Sequence, residues 1–252
     1  KYCSELIRHG RSVALCDQLE TTATKGNLLK RGITRILTPG TIIEEGMLTA
    51  RRNNWLATII LDENINSSTY EWGLAIADIS TGEFFVTQRE GESDLKQELI
   101  QIDPSEVVWG GSDFQEIKEL CPDKVHLSLS NSTQFNYHEA NNTLKKYYNL
   151  STLDGLGLKD FTLALRAAGG LLNYIVKTKP SNQDVNKNLI QLDLPKIIFA
   201  ADSLFIDSQT KRNLEITNTQ RDGSFQGSLL WAIDRSLTAM GGRCLRRWIE
   251  NH

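Results

Sequence analysis

No cysteine in this chain has a partner at metal-ligand spacing. The four, Cys3, Cys16, Cys121 and Cys244, are scattered with no CxxC pair. That excludes the usual zinc spacings and a disulfide framework, and it points to a reducing compartment, here the cytoplasm. Long apolar runs are missing as well. The longest, Trp55 to Leu61, is interrupted by Thr58 and falls far short of the roughly 18 residues of a membrane span, so no membrane partner is expected. Net charge is nearly absent, at -3 over 252 residues, which excludes a strongly basic or acidic binding protein on average. Phosphate loops are lacking: there is no GxxxxGK[ST] and no GxGxxG. The pairs Gly110-Gly111, Gly169-Gly170 and Gly241-Gly242 stand alone and read as packing sites. His9, His126, His138 and His252 have no metal-site spacing around them, and there is no GxSxG elbow. No cofactor or metal site is expected within this segment.

What remains is material for a core. Forty per cent of the residues are hydrophobic, too many for a disordered tail and enough for one large domain or two small ones. The small net charge hides segments. Residues 1–53 carry +4, residues 54–201 carry -8 and residues 202–252 carry +1, which suggests surfaces with different partners. The chain begins with Lys1 rather than Met and ends at His252, both inside helical patterns, so it reads as a piece of a longer protein.

Periodicity predicts a helix ending at Gly10, then strands at Val13–Cys16 and Ile33–Leu37, the second stopped by Pro39-Gly40. Residues 44–53 are helix-compatible. Strands follow at Leu56–Leu61, Trp72–Ile79 and Glu83–Gln88, the last two joined by a Ser80-Thr81-Gly82 turn in which Gly82 supplies a positive φ. A helix over Leu95, Leu99 and Ile102 breaks at Asp103-Pro104. A strand at Val107–Trp109, a helix at Ile117 and Leu120, a strand at Val125–Leu129 and a helix over 139–148 come next. Leu156 to Thr178 holds a long apolar helix around Leu163, Ala167, Leu171 and Ile175. Its Gly169-Gly170 pair costs about 2 kcal/mol of propensity, which close approach of another backbone would offset. Lys179-Pro180 opens a polar linker to about Asn188. Leu230, Ile233, Leu237, Met240, Cys244 and Trp248 are spaced as a buried helical stripe, with Thr238 as a possible N-cap. Three strands followed by βαβα make an α/β layered pattern, of which an RNase-H-like order is one member.

A nuclease of that fold needs an acid in the middle of its first strand, with others converging to hold two Mg²⁺. Trp55 to Leu61 contains none, and Asp78 and Asp62 read as turn and surface carboxylates. Basic residues offer another chemistry. Lys25, Lys30, Arg31 and Arg35 surround the strand Ile33–Leu37, with Arg51 and Arg52 beyond. Cations without base-reading partners position a phosphate backbone but do not specify sequence; a solvated face is the alternative. Arg243 and Arg246 or Arg247 share a helix face that reads as solvent or an inter-domain contact.

Motifs add what these patterns do not. SVALCDQLE (Ser12 to Glu20), RILTPGT (Arg35 to Thr41), NWLATII (Asn54 to Ile60), ADISTGEF (Ala77 to Phe84), DSLFIDSQTKRNLEIT (Asp202 to Thr217) and LLWAIDRSLTAMGGRCLRRW (Leu229 to Trp248) stand in order along the chain. Together they resemble the MutS family of DNA mismatch-repair ATPases. The resemblance implies three pieces: the end of a mismatch-recognition domain (1–53), a complete connector domain of RNase-H-like α/β fold without nuclease function (54–201), and the start of a helical core or lever domain (202–252). It implies joints near 50–54 and 200–203. It also implies that the mismatch-stacking Phe-x-Glu lies upstream and the Walker A loop downstream, so that no catalytic residue is assignable here. For the full-length protein it implies mismatched double-stranded DNA, ATP with Mg²⁺, a homodimer and a MutL-type partner. Arg31 is the residue most readily carried over as a DNA-backbone contact, with Lys30 second. The rival readings are an RNase-H-like nuclease or resolvase and a protein-interaction module only.

Overall fold

The structure is a computed structural model. It describes residues 2–18, 31–43, 47–48, 52–62, 70–111, 114–178, 192–198 and 208–250. The chain divides into two units, Lys1–Ile42 with Trp55–Ile197, and Ile43–Asn54 with Ile198–His252.

The first unit is mixed α/β. Helix α1 (Tyr2–Arg8) leads into a two-stranded antiparallel sheet, β1 (Val13–Gln18) against β2 (Arg31–Leu37). The register slips between Leu15 and Cys16, which pair with Arg35 and Ile33, so the extra residue is Thr34 of β2. A six-stranded mixed sheet follows, built from β3 (Trp55–Leu61), β4 (Glu71–Asp78), β5 (Glu83–Glu90), β6 (Glu106–Trp109), β7 (His126–Leu129) and the short β8 (Lys196–Ile197). Its order is β7-β6-β3-β4-β5-β8. Strands β3, β4 and β5 form an antiparallel meander, while β6 runs parallel to β3, β7 to β6 and β8 to β5.

Strand alternation explains the layers. From β3, Leu56 and Ile60 face one core, shared with α4 (Tyr137–Tyr148) and α5 (Thr162–Thr178). Ala57, Ile59 and Leu61 face the other, shared with α2 (Glu92–Ile102) and α3 (Phe114–Leu120). A strand buried on both faces is almost wholly apolar; in Trp55 to Leu61 only Thr58 is polar, and there is no acid. Helix α2 ends as predicted at Asp103, whose φ of 48° is left-handed and whose N–H bonds the Leu99 carbonyl. Gly82 has a φ of 84° in the β4–β5 turn.

The long apolar helix lies within the stretch that periodicity marks and contains Leu163, Ala167, Leu171 and Ile175. Residues Asp154–Leu156 form a separate 3-10 turn, and α5 begins at Thr162. The reason is a cap supplied from outside: Gln88 of β5 accepts hydrogen bonds at Oε1 from the Leu163 and Ala164 amides, at 2.9 and 3.3 Å. The glycine pair is accounted for. A Cβ on Gly169 would lie 2.7 Å from the Ala140 carbonyl oxygen and closer still to Ala140 Cα, so the α4 backbone rests directly on α5.

In the second unit, the stripe over 230–248 is divided between two helices, the second starting at the expected Thr238 cap, but it is not buried as expected. Helix α6 (Ser208–Asn213) is followed by α7 (Leu229–Ile233) and α8 (Ala239–Glu250). Asp234 ends α7: its Oδ1 accepts from the Ser236 amide and hydroxyl at 2.8 and 2.6 Å, a local bond that competes with helix continuation. Of the stripe, only Leu230 is buried, while Ile233, Leu237, Met240 and Trp248 are exposed. Thr238 does cap α8, accepting from the Gly241 amide at 3.1 Å. The helix-compatible stretch 44–53 and the linker after Lys179 fall mostly outside the described residues.

Candidate nucleic-acid interface and hairpin anchor

Arg31 is the first residue of β2, exposed, opposite Gln18 on β1. Strand alternation puts Arg31 and Ile33 on one face, opposite Gln18 and Cys16, with Ile33 exposed, while the register shift turns the half-buried Arg35, opposite Leu15, to the other face. On the other face the Thr34 hydroxyl donates to Asp17 at 2.6 Å. The hairpin therefore presents one cation to solvent at Arg31, and a second, partly covered, four residues along on the other face. That suits contact with a phosphate backbone and offers nothing to read a base. Lys30, Lys25 and Arg51 lie outside the described residues, and Arg52 is exposed. The arginine face of α8 differs from expectation. Arg243 is only 3% exposed and Arg246 pairs with Glu250 at 3.0 Å, so neither presents a free solvent charge.

The nuclease reading fails on geometry. Asp78 is fully buried rather than a surface carboxylate, and its Oδ1 closes the turn by accepting from the Ser80 amide and hydroxyl at 2.9 and 2.6 Å. Glu106 is also fully buried, and its oxygens are occupied as described below. Among the described residues, no group of three or more His, Cys, Asp or Glu side chains is placed to hold a metal ion. With no phosphate loop in the sequence either, these residues do not fit a nucleotide–Mg²⁺ site.

Sequence reasoning missed Glu106. It opens β6, where alternation alone gives it no distinction from a surface acid. Its Oε2 accepts from the Gly40 amide at 2.8 Å, and its Oε1 accepts from the Ser128 and Tyr174 hydroxyls, both at 2.6 Å. Three elements of the large sheet unit, β6, β7 and α5, thus converge on the loop that leaves β2. A buried carboxyl is tolerated only when so satisfied. Burial first, and then the Glu106 carboxylate, push the Tyr174 hydroxyl well above the usual phenol range, with bonds to Ser128 and Thr38 pulling the other way.

The loop itself is tightly wound. The Thr38 amide donates to Thr41 Oγ1 at 2.9 Å and the Thr41 amide to the Thr38 carbonyl at 3.0 Å. Leu37 through Ile42 are all buried. A Cβ on Gly40 would lie 2.6 Å from Leu56 Cδ1 and 3.0 Å from Glu106 Cβ, so only glycine lets the loop backbone lie against β3 and β6. A second contact lies at Gly10, where an added Cβ would be 3.6 Å from His126 Nδ1 on β7.

Comparison with known proteins then identifies the chain. The profile of MutS domain I matches residues 1–46, that of MutS domain II residues 54–189 and that of MutS domain III residues 209–251. Over 99% of its length the chain is 56% identical to the DNA mismatch repair protein MutS of Prochlorococcus marinus strain MIT 9303 and 57% identical to that of Synechococcus sp. strain CC9902. It is 49% identical to the MutS of Prochlorococcus marinus strain NATL2A. In each case it spans 27% of the relative's length. The chain belongs to the MutS family of DNA mismatch-repair proteins, as a segment that runs from domain I through domain II into domain III.

Proposed function

We propose that this segment links mismatch recognition to the lever and ATPase of a full-length protein that binds mismatched double-stranded DNA and hydrolyses ATP to signal repair. The observation that carries the reading is the succession of MutS domains I, II and III in one chain. The anchored hairpin supports it, because a transmitting element needs rigid attachment where force enters. Residues 1–53 end the recognition domain, residues 54–201 form the connector and residues 202–252 begin the lever, with rigid-body movement about joints near 50–54 and 200–203. A meander followed by βαβα supports an RNase-H-like connector, and the absence of an acid on β3 supports one without nuclease chemistry. ATP and Mg²⁺ bind elsewhere in the full-length homodimer; no step is assigned to residues here. The acidic connector also serves as a surface for a MutL-type partner, which pull-down with residues 54–201 would detect.

Mismatched DNA bends more easily than paired DNA, so the recognition end needs backbone grip as well as base contact. Arg31 supplies part of that grip, and Lys30 a further part. Arg31→Ala in the full-length protein weakens binding to matched and mismatched duplex alike and lowers the slope of log K against log salt by about 1. An unchanged slope refutes the assignment. The 252-residue segment alone neither hydrolyses ATP nor prefers mismatched duplex; a mismatch preference by the segment would overturn the transmission reading.

A further inference from the structure

We infer that Glu106 is a positioning residue that latches the end of domain I to the connector, so that residues 37–42 move with the connector sheet and mismatch sensing is passed through that contact. The inference rests on the proposed function for its consequence, and on geometry for the latch itself. Glu106 is fully buried and receives a backbone amide from Gly40, 66 residues away, while Ser128 and Tyr174 hold its other oxygen. The loop has little freedom of its own, since Thr38 and Thr41 close it and Gly40 rests on Leu56. Thr38, Pro39, Gly40 and Thr41 therefore behave as one rigid link, which Glu106 fastens to the sheet through the Gly40 amide.

The chemistry identifies the perturbation. Three donors converge on Glu106, and a carboxylate offers them only acceptors. A glutamine would keep the latch, since its oxygen can accept from the Gly40 amide while its NH₂ faces the Ser128 and Tyr174 hydroxyls, which accept as well as donate. Glu106→Leu offers the Gly40 amide no acceptor and so breaks the latch at similar volume, with Glu106→Gln as the control that keeps it. Tyr174→Phe removes one of the three hydrogen bonds and leaves the carboxyl in place, so it gives the same effect in smaller measure and guards against misfolding of the leucine variant.

The test uses the full-length protein in two measurements. Hydrogen exchange, read by mass spectrometry, is expected to speed up tenfold or more in peptides covering 38–42 in Glu106→Leu, with β3 and β4 as protected as in the parent, and to stay near the parent rate in the Glu106→Gln control. The increase in nucleotide exchange on adding mismatched over matched duplex is expected to fall at least fivefold, with basal ATPase and affinity for matched duplex unchanged. Unchanged exchange at 38–42 overturns the latch. Equal loss of protection across β3 and β4 also overturns it, since Glu106 would then serve only the fold. Accelerated exchange at 38–42 with an undiminished mismatch response overturns the coupling role. A parent protein with no mismatch response refutes the proposed function and the coupling role with it, while the exchange measurement still decides the latch.

Discussion

Replacing Gly169 with alanine sets helix propensity against packing, and the two predict opposite signs. Gly169 lies in the interior of the 17-residue helix α5, where alanine is favoured over glycine by about 1 kcal/mol. Propensity alone therefore predicts a more stable protein. The structure puts the new Cβ 2.7 Å from the Ala140 carbonyl oxygen, and nearer to Ala140 Cα, against an ordinary contact beginning at 3.4 Å. The obstacle is the backbone of α4, which no rotamer change can move aside. The helices must part by roughly 0.7 Å or more, in a core where Ala140, Leu144, Leu171 and Leu172 are fully buried, and overpacking of this kind costs about 3 kcal/mol at the upper end of its usual range. The net effect is a loss of about 2 kcal/mol. With an m-value of about 2 kcal/mol per M, the urea midpoint falls by about 1 M. Unfolding of the chain, followed through the buried Trp72 and Trp109, measures it. Gly155→Ala is the control: nothing lies within 4 Å of its added Cβ, so its midpoint stays level or rises slightly. A Gly169→Ala midpoint at or above that of the parent refutes the packing argument.

Two other expectations concern single contacts. Gln88→Ala leaves the Leu163 and Ala164 amides without their acceptor; it destabilises the chain by about 1–2 kcal/mol, as loss of an N-cap does, and an unchanged urea midpoint would show that water replaces it. Burial pushes the Cys121 thiol up to about 12, so it is neither accessible nor a thiolate at pH 8, whereas Cys16 is exposed. Iodoacetamide is expected to modify Cys16 in the folded chain and Cys121 only after denaturation, read by peptide mass spectrometry; equal rates in the folded chain would contradict the burial.

Much of the architecture was legible in one dimension because local rules and the fold agree. The doubly buried β3, the Gly82 turn and the stop at Asp103-Pro104 each follow from a residue's own geometry or polarity, and the ordered motifs were enough to name the family. Apolar spacing failed on burial: Asp234 divides the 230–248 stripe, and Ile233, Leu237, Met240 and Trp248 are exposed although the spacing is helical throughout. It also left the start of α5 open, because the cap comes from Gln88, 75 residues away.

The candidate site divides in the same way. Arg31 is visible as a cation at the start of a β-branched strand, and its exposure follows from strand alternation. Glu106 is not visible, because a glutamate at the head of a short strand is ordinarily a surface residue. Only tertiary structure brings Gly40, Ser128 and Tyr174 to it from three separate parts of the chain. The sequence by itself determined the element types and the family, since periodicity, turn chemistry and motif order are properties of neighbours along the chain. The tertiary structure alone decided which glycines carry a neighbouring backbone and which carboxyl is a buried anchor, because both depend on atoms that are remote in sequence and adjacent only after folding.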